Sequence, residues 1–313
     1  MKKKIVVVEP LRVDKEKVLN NLNNLENVEV EYYDNRQEDN KTLIKRCKKA
    51  NIIVVSNIKL DKTVLEKCEN LEMICVAFTG VDHIDMDYCR EQGIVVSNAS
   101  GYATQAVVEL TFGLIFNLYR NIKIGDKEIR EGYNHNNRLG LELANKQVGV
   151  VGVGAIGSEV VKLAQAFKAD VSIYNRSKVN IDNTEQVDLE SIFKHSDIIS
   201  IHLPLNSETK GIINKELLSL MKEDAILINT ARGPIIDNDY LAKILNEDKI
   251  AGAGIDVFDY EPPLKKDYPL LSAKNTILTP HIAYFTQEAM EKRFQIVLSN
   301  IEAYLNNRPI NVM

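Results

Sequence analysis

Side chains that could bind an anion and transfer a proton are concentrated in three short segments in the second half of the chain. Arg232 comes just past an apolar run and before a glycine, and His281 directly follows a proline. Asp256, Asp259 and Glu261 share one turn that two prolines stiffen. A cation can hold a carboxylate and polarise a carbonyl, an imidazole can deliver a proton, and a carboxylate can keep that imidazole charged. Each residue alone is also explained as a surface or loop residue, but the three together are what reduction of a 2-oxo acid needs.

A glycine pattern upstream predicts a dinucleotide site that could supply the hydride. Gly152, Gly154 and Gly157 have the spacing G-x-G-x-x-G and lie between an apolar, β-branched strand and an amphipathic helix. We expect them to give a tight turn, close approach to a pyrophosphate and tight helix–strand packing, in that order. The N–H groups near Ala155 and Ile156 would then face the phosphate charge.

The end of the next strand bears on which dinucleotide binds. A carboxylate that would bond the ribose 2′-hydroxyl of NAD is expected there, but the sequence reads Asn175, Arg176, Ser177 and Lys178. Arg176 can form a bidentate contact with a 2′-phosphate, Ser177 can donate a hydrogen bond and Lys178 adds charge. We therefore predict NADP(H) over NAD(H). The alternative is a solvated turn with two exposed cations, which would leave NAD(H) as the cofactor.

Two series of alternating strands and helices would position these segments. The first third of the chain and the part from Val148 onward each alternate short apolar strands with helical patterns, which predicts two doubly wound parallel sheets. A helix from Thr104 to Arg120 links them and is followed by a polar stretch from Gly132 to Lys146. A second amphipathic helix spans Gln287 to Leu305. The predicted strands of the first sheet are Ile5–Val8, Val28–Tyr33, Ile52–Ser56, Met73–Ala77 and Ile94–Ser97, with helices at Asp14–Leu22, Glu38–Lys49, Lys62–Asn70 and Met86–Gln92.

Composition narrows the class of protein. The chain has 313 residues, enough for two domains, with 45% apolar and 27% charged residues. A net charge of −5 argues against a nucleic-acid partner. We expect no export signal, no membrane segment and no metal site, since apolar runs are short and the histidines are scattered. The four cysteines contain no C-x-x-C pair, which favours reduced thiols in a cytoplasmic protein.

From about Val76 to Ala283 the chain resembles the D-isomer-specific 2-hydroxyacid dehydrogenase family. Many short motifs occur in the family's order, which makes the resemblance specific. They are Thr79–Asp85, Gly101–Thr104, the glycine pattern, His202-Leu203-Pro204-Leu205, Asn229–Gly233, Asp256-Val257-Phe258, Glu261-Pro262 and Pro280-His281.

The resemblance assigns roles to these residues. It implies that Arg232 orients the substrate and that Glu261, among the three carboxylates of the turn, pairs with the acid/base His281. Asp256 would bond the nicotinamide carboxamide, and the turn at Thr79 and Gly80 would offer amide donors to the substrate carboxylate. The expected substrate-binding residues are Phe78, Thr79, Gly80, Arg232 and His281. The expected cofactor-binding residues are Thr104, Gly152, Gly154, Ala155, Ile156, Gly157, Asn175, Arg176, Ser177, His202, Leu203, Pro204, Thr230, Ala231, Arg232, Asp256, His281 and Ala283.

The resemblance also implies an architecture. A flavodoxin-like substrate domain would comprise residues 1–98 and be completed by 286–313. A Rossmann dinucleotide-binding domain would comprise residues 99–285, with a cleft between the domains, and the protein would be a homodimer.

Departures from the family's pattern bear on specificity. Ala155 stands where relatives often carry arginine, and Asn175 where many carry aspartate. Val76, Ala77 and Phe78 offer no cation, which counts against a phosphorylated substrate. We expect an NADP(H)-preferring reductase of a small 2-oxo acid, such as glyoxylate, hydroxypyruvate or pyruvate, like the glyoxylate/hydroxypyruvate reductases or D-lactate dehydrogenases. The alternatives are a phosphoglycerate or formate dehydrogenase and a cofactor-sensing corepressor-type binding protein.

Overall fold

The computed structural model describes residues 2–134 and 138–313. Residues 135–137, inside the polar stretch predicted from Gly132 to Lys146, lie outside the described residues, as does Met1. Internal contacts divide the chain into a first unit, Met1–Ala103 with Phe285–Met313, and a second unit, Thr104–Tyr284. The boundaries predicted from the sequence lie after residues 98 and 285, and the function of each unit remains a prediction.

The first unit is built on a five-stranded parallel sheet in the order β2-β1-β3-β4-β5. This is the flavodoxin-like order, with its switch point between β1 and β3. Its central strands are continuous apolar runs because helices cover both faces of such a sheet. The strands are β1 (Lys3–Val7), β2 (Val28–Tyr32), β3 (Ile52–Val55), β4 (Met73–Val76) and β5 (Val95–Ser97). The helices are α1 (Lys15–Asn23), α2 (Asn40–Cys47), α3 (Lys62–Leu65) and α4 (Met86–Gln92).

One predicted helix of this unit is much shorter than expected. The pattern from Lys62 to Asn70 predicts a continuous helix, but α3 ends at Leu65. Beyond it, the N–H groups of Lys67 and Cys68 bond to the carbonyls three residues back, which tightens the chain out of α-helical geometry.

The second unit is built on a seven-stranded parallel sheet in the order β12-β11-β10-β9-β6-β7-β8. The first six of these strands in chain order are arranged in the Rossmann order, and the seventh lies at the edge beside the sixth. The strands are β6 (Gln147–Val151), β7 (Asp170–Tyr174), β8 (Thr184–Gln186), β9 (Ile198–Ile201), β10 (Ile226–Asn229), β11 (Gly252–Ile255) and β12 (Thr276–Leu278). The predicted class, α/β with a flavodoxin-like and a Rossmann sheet, is confirmed.

Helices complete both units. The second unit contains α5 (Thr104–Tyr119), α6 (Ile122–Arg130), α7 (Ala155–Ala166), α8 (Leu189–His195), α9 (Lys215–Leu218) and α10 (Asn238–Asn246). The last helix, α11 (Gln287–Leu305), belongs to the first unit, where Phe294, Val297 and Ile301 join the core formed by β1, β3 and β4. Neither α6 nor β8 is among the elements predicted from the sequence. Strand β8 is short, polar and largely exposed at the sheet edge, so it lacks the apolar pattern by which strands are predicted.

Candidate active site

His281 and Glu261, two of the predicted site residues, are in direct contact. Nδ1 of His281 lies 2.8 and 2.9 Å from the two carboxylate oxygens of Glu261. A carboxylate only accepts, so Nδ1–H is the donor in this contact. The His281 side chain is only 13% exposed, whereas that of Glu261 is 62% exposed.

The turn after β12 holds His281 in an uncommon backbone conformation. Its φ is 54°, in the left-handed region that few residues other than glycine adopt. The His281 N–H donates to the carbonyls of Asp256 and Thr279. The buried Asp256 carboxylate accepts from the Thr279 hydroxyl at 2.6 Å and from the N–H groups of Ile282 and Ala283 at 2.9 Å. Burial raises the pKa of this carboxyl, while those donors oppose the rise. Asp256 therefore fixes the turn that presents the histidine; its contact with a cofactor remains a prediction.

The turn after β10 presents Arg232. The buried Asn229 side chain accepts from the N–H of Ala231 at 3.0 Å and donates to the carbonyl of Arg232 at 3.0 Å, which closes the turn. Gly233 then approaches the acidic turn so closely that a Cβ there would lie 2.0 Å from the carbonyl carbon of Phe258. Only glycine fits at this approach, which sets the Arg232 turn against the turn that carries Glu261.

The structure separates the three carboxylates that the sequence left together. Asp256 accepts from the histidine turn and Glu261 accepts from His281. Asp259 instead accepts from two buried side chains, Asn238 at 2.9 Å and Tyr268 at 2.8 Å. Sequence reasoning missed Asn238 and Tyr268, since neither belongs to a motif and only the fold brings them to this turn.

The glycine loop between β6 and α7 has a geometry that a dinucleotide phosphate fits. Gly152 has a φ of 93°, and a Cβ there would meet the carbonyl oxygen of His202 at 2.7 Å. A Cβ on Gly157 would lie 2.0 Å from the carbonyl oxygen of Gly152, so the helix packs directly on the turn. A Cβ on Gly154, at the N-cap of α7, would meet no atom within 4 Å. This open cradle at a helix N-terminus fits a pyrophosphate, with the N–H groups at Ala155 and Ile156 as donors.

The loop after β7 is internally braced. The side-chain carbonyl oxygen of Asn175 accepts from the N–H of Val153 in the glycine loop at 3.2 Å. Its amide nitrogen donates to the carbonyl and hydroxyl oxygens of Ser177 at 3.1 and 3.0 Å. The exposed Arg176 guanidinium forms an ion pair with Glu208, a residue that no sequence motif singled out. Arg176 would therefore have to exchange a carboxylate for a 2′-phosphate.

Other predicted cofactor residues follow the carboxyl ends of neighbouring strands in the second sheet. His202, Leu203 and Pro204 follow β9, and Nε2 of His202 lies 2.7 Å from the hydroxyl of the buried Ser200. Burial lowers the pKa of His202 to about 4, so its imidazole is neutral at neutral pH. Thr230 follows β10 and lies 3.1 Å, hydroxyl to hydroxyl, from Thr111 of α5. The remaining predicted residue, Thr104, begins α5.

The predicted substrate loop belongs to the first unit, directly after β4. Phe78 is buried beside Tyr102, and its carbonyl accepts from the N–H of Ala99 at 2.9 Å. The carbonyl of the exposed Thr79 accepts from the Asn98 side chain at 2.7 Å. These bonds fix the turn that continues into Gly80.

Two further features concern residues 2–134 and 138–313 only. Within them no three His, Cys, Asp or Glu side chains are grouped so that they could hold a metal ion. No helix among them is long and apolar enough to cross a membrane.

The sequence is similar to those of several known proteins. Residues 112–283 match the family model described as D-isomer specific 2-hydroxyacid dehydrogenase, NAD binding domain. The chain is 41% identical over 236 residues to a glyoxylate reductase of Thermofilum pendens, covering 72% of this chain and 69% of that one. It is 38% identical over 309 residues to a D-3-phosphoglycerate dehydrogenase of Methanocaldococcus jannaschii, covering 96% of this chain and 57% of that one.

The fold also matches solved structures. An acyclic imino acid reductase in complex with NADPH and D-Arg is 36% identical, with a TM-score of 0.91 over 99% of each chain. The resemblance inferred from the motifs is confirmed. The chain belongs to the D-isomer-specific 2-hydroxyacid dehydrogenases, a family of oxidoreductases with an NAD-binding domain.

Proposed function

We propose that the protein is an NADP(H)-preferring reductase of a small 2-oxo acid, such as glyoxylate, hydroxypyruvate or pyruvate, and that it forms the D-2-hydroxy acid. One observation carries this proposal. His281 donates through Nδ1 to both oxygens of Glu261 beside the turn that presents Arg232. That arrangement provides a proton donor and an anion-binding cation on one sheet edge, next to a dinucleotide cradle.

Each residue has a distinct task in this reaction. Arg232 holds the substrate carboxylate and polarises the carbonyl group. His281 gives the proton on Nε2 to the carbonyl oxygen, and Glu261 stabilises the imidazolium that makes this transfer. The bound reduced nicotinamide supplies the hydride to C2. In the first unit, we propose that the turn at Thr79 and Gly80 offers N–H groups to the substrate carboxylate.

The preference for NADP(H) rests on the loop after β7. Asn175, Arg176 and Ser177 can each donate a hydrogen bond, and none of them is the carboxylate that would repel a 2′-phosphate. A similar protein of known structure binds NADPH. The Arg176–Glu208 pair opposes the preference, because the phosphate must displace Glu208.

Steady-state reduction of glyoxylate, hydroxypyruvate and pyruvate, each with NADPH and with NADH, tests the proposal. The same assays are run with 3-phosphohydroxypyruvate, the substrate of the rival phosphoglycerate enzyme, and with formate, whose oxidation is measured. Pyruvate mixed with D-arginine is also assayed, as a source of an imine substrate. Turnover of an unphosphorylated 2-oxo acid supports the proposal. Turnover of the phosphorylated acid or formate alone replaces it, and no turnover with any pair favours a cofactor-sensing binding protein.

Two variants test the cofactor preference. Arg176→Ala removes the phosphate partner, so we expect the KM for NADPH to rise about tenfold or more while that for NADH changes little. Glu208→Gln frees Arg176 and removes a nearby negative charge, so the KM for NADPH should fall. Glu190→Gln, an equal charge change at another exposed site of the second unit, is the control. Equal effects on NADPH and NADH would show that Arg176 does not bind the 2′-phosphate.

We also propose a cytoplasmic homodimer. Cys47, Cys75 and Cys89 are buried free thiols, which suits a reducing compartment. Helix α6 has no buried residue, although its sequence is strongly amphipathic. Apolar side chains therefore remain exposed on this helix and in the segment after it, as they do at the contacts of oligomers. They are Ile122, Ile129, Tyr133, Leu139 and Leu141.

A further inference from the structure

A buried polar network joins the two turns that carry Arg232 and Glu261. The amide nitrogen of Asn238 donates to an Asp259 carboxylate oxygen at 2.9 Å and to the Gly233 carbonyl at 3.2 Å. The Tyr268 hydroxyl donates to the other oxygen of Asp259 at 2.8 Å. Both Asn238 and Tyr268 are almost completely buried, at 4% and 6% exposure. The network therefore ties the residue after Arg232 to a residue two positions before Glu261.

Packing around the network leaves these turns little freedom. Gly233 lies against the backbone of Phe258 and Asp259 at a distance that excludes a Cβ. The Tyr268 ring packs edge-on against both Phe258 and Tyr260, with ring centroids 5.7 and 5.8 Å apart. The residues on either side of Asp259 are thus held by one ring. A shift of Asp259 would move Phe258 and Tyr260, and Glu261 is the next residue in the chain after Tyr260.

The Tyr268 hydroxyl keeps its proton within this network. Burial and the Asp259 carboxylate raise the pKa of the Tyr268 hydroxyl, so it remains a donor. Both hydrogen bonds to Asp259 are charge-assisted and therefore stronger than neutral ones. The side-chain carbonyl oxygen of Asn238 is buried with no hydrogen-bond partner among the described residues, which is unfavourable for folding. An amide retained at that cost points to a requirement for its two donated bonds.

We propose that Asp259, held by Asn238 and Tyr268, is a positioning residue that sets Glu261 and Arg232 in their working geometry. This inference rests on the proposed function, because it assumes that Arg232, Glu261 and His281 perform the reaction. Asp259 itself acts through its neighbours: its carboxylate is occupied by buried donors.

Tyr268→Phe and Asp259→Asn test the inference. Phe retains the ring packing and loses only the donor, and Asn retains the size but cannot accept from both partners at once. We expect kcat/KM for the best 2-oxo acid to fall about tenfold in each, as expected for loss of one hydrogen bond to a charged group. The KM for the cofactor and its direct binding should change less than twofold. The alkaline limb of the pH profile of kcat/KM should move to lower pH, because a displaced Glu261 supports the imidazolium less well.

Tyr240→Phe is the matched control. It also removes a tyrosine hydroxyl bond in the second unit, to Ser219 at 2.8 Å, without touching Asp259. Thermal unfolding is measured for every variant, and His281→Ala is assayed in parallel. A lowered Tm in Tyr268→Phe with kcat/KM and pH profile equal to those of Tyr240→Phe would reduce the network to a structural role. Normal turnover by His281→Ala would instead overturn the proposed function itself.

Discussion

His281 and Glu261 are the residues on which the proposed chemistry depends most directly. In the proposed reaction Nε2 of His281 delivers the proton, because Nδ1 is bound to Glu261. The carboxylate fixes both the tautomer and the direction of the ring. The two residues therefore have unequal roles, and their replacement should have unequal effects.

We expect His281→Ala to lower kcat about 10²–10⁴-fold, the usual contribution of a general acid, while NADPH still binds. Glu261→Gln retains an acceptor for Nδ1–H but removes the charge, so its loss should be smaller. Steady-state kinetics measures the loss of kcat, and fluorescence titration with NADPH separately measures cofactor binding. Near-normal turnover by His281→Ala would exclude the assigned role.

His202 predicts a dependence of stability on pH. Burial lowers its pKa to about 4 from an ordinary 6.5, so the unfolded chain takes up a proton below about pH 6.5 and the folded chain does not. The free energy of unfolding should therefore fall as the pH drops from about 6.5 to 4, by at most about 1.4 kcal/mol per pH unit from this group. His202→Gln, which can still bond to Ser200, should reduce that slope in urea unfolding. An unchanged slope would mean that other groups cause it.

At the scale of elements, the turn from β6 into α7 separates glycines needed for folding from those needed for binding. A Cβ on Gly157 would collide with the backbone of Gly152, whereas one on Gly154 would enter open space. Gly154 also has an ordinary φ of −89°, so alanine is not strained there. The two positions form a matched pair for substitution.

We expect Gly157→Ala to cost about 3 kcal/mol or more, because backbone atoms must move apart. Gly154→Ala should leave the Tm almost unchanged and raise the KM of both cofactors about tenfold, because its methyl group occupies the phosphate cradle. Differential scanning calorimetry and cofactor titration distinguish these outcomes. A strongly lowered Tm in Gly154→Ala, with normal cofactor affinity, would contradict the cradle.

The elements also show how far the sequence predicts the structure. Strands such as β3 and β10 are continuous apolar runs between helical patterns, so both sheets could be predicted. The edge strand β8 could not, because its residues are polar and lack the apolar pattern by which strands are predicted. Motifs identified Arg232, Glu261 and His281, but Asn238 and Tyr268 reach Asp259 only through tertiary packing. Glu208 and Arg176 are likewise paired across loops.

At the scale of the whole molecule, the surface of α6 is the feature least expected of a monomer. Ile129 is 70% exposed and Leu139 is 89% exposed, within one short region of the second unit. The charges on α6 are mixed, and Asp126 pairs with Arg130 within the helix. A surface with charges of both signs beside apolar side chains can meet its own copy without strong repulsion, which favours a second copy of this chain as the partner.

We therefore expect light scattering to give a molar mass of about twice the chain mass of 35.3 kDa. Ile129→Glu combined with Leu139→Glu should shift the protein to the monomer, because buried carboxylates without partners would face each other across the contact. Leu271→Glu is the control, since Leu271 is exposed elsewhere in the second unit. If the double variant remains a dimer, a different surface joins the copies; if the unaltered protein is a monomer at micromolar concentration, the apolar face of α6 does not hold two copies together.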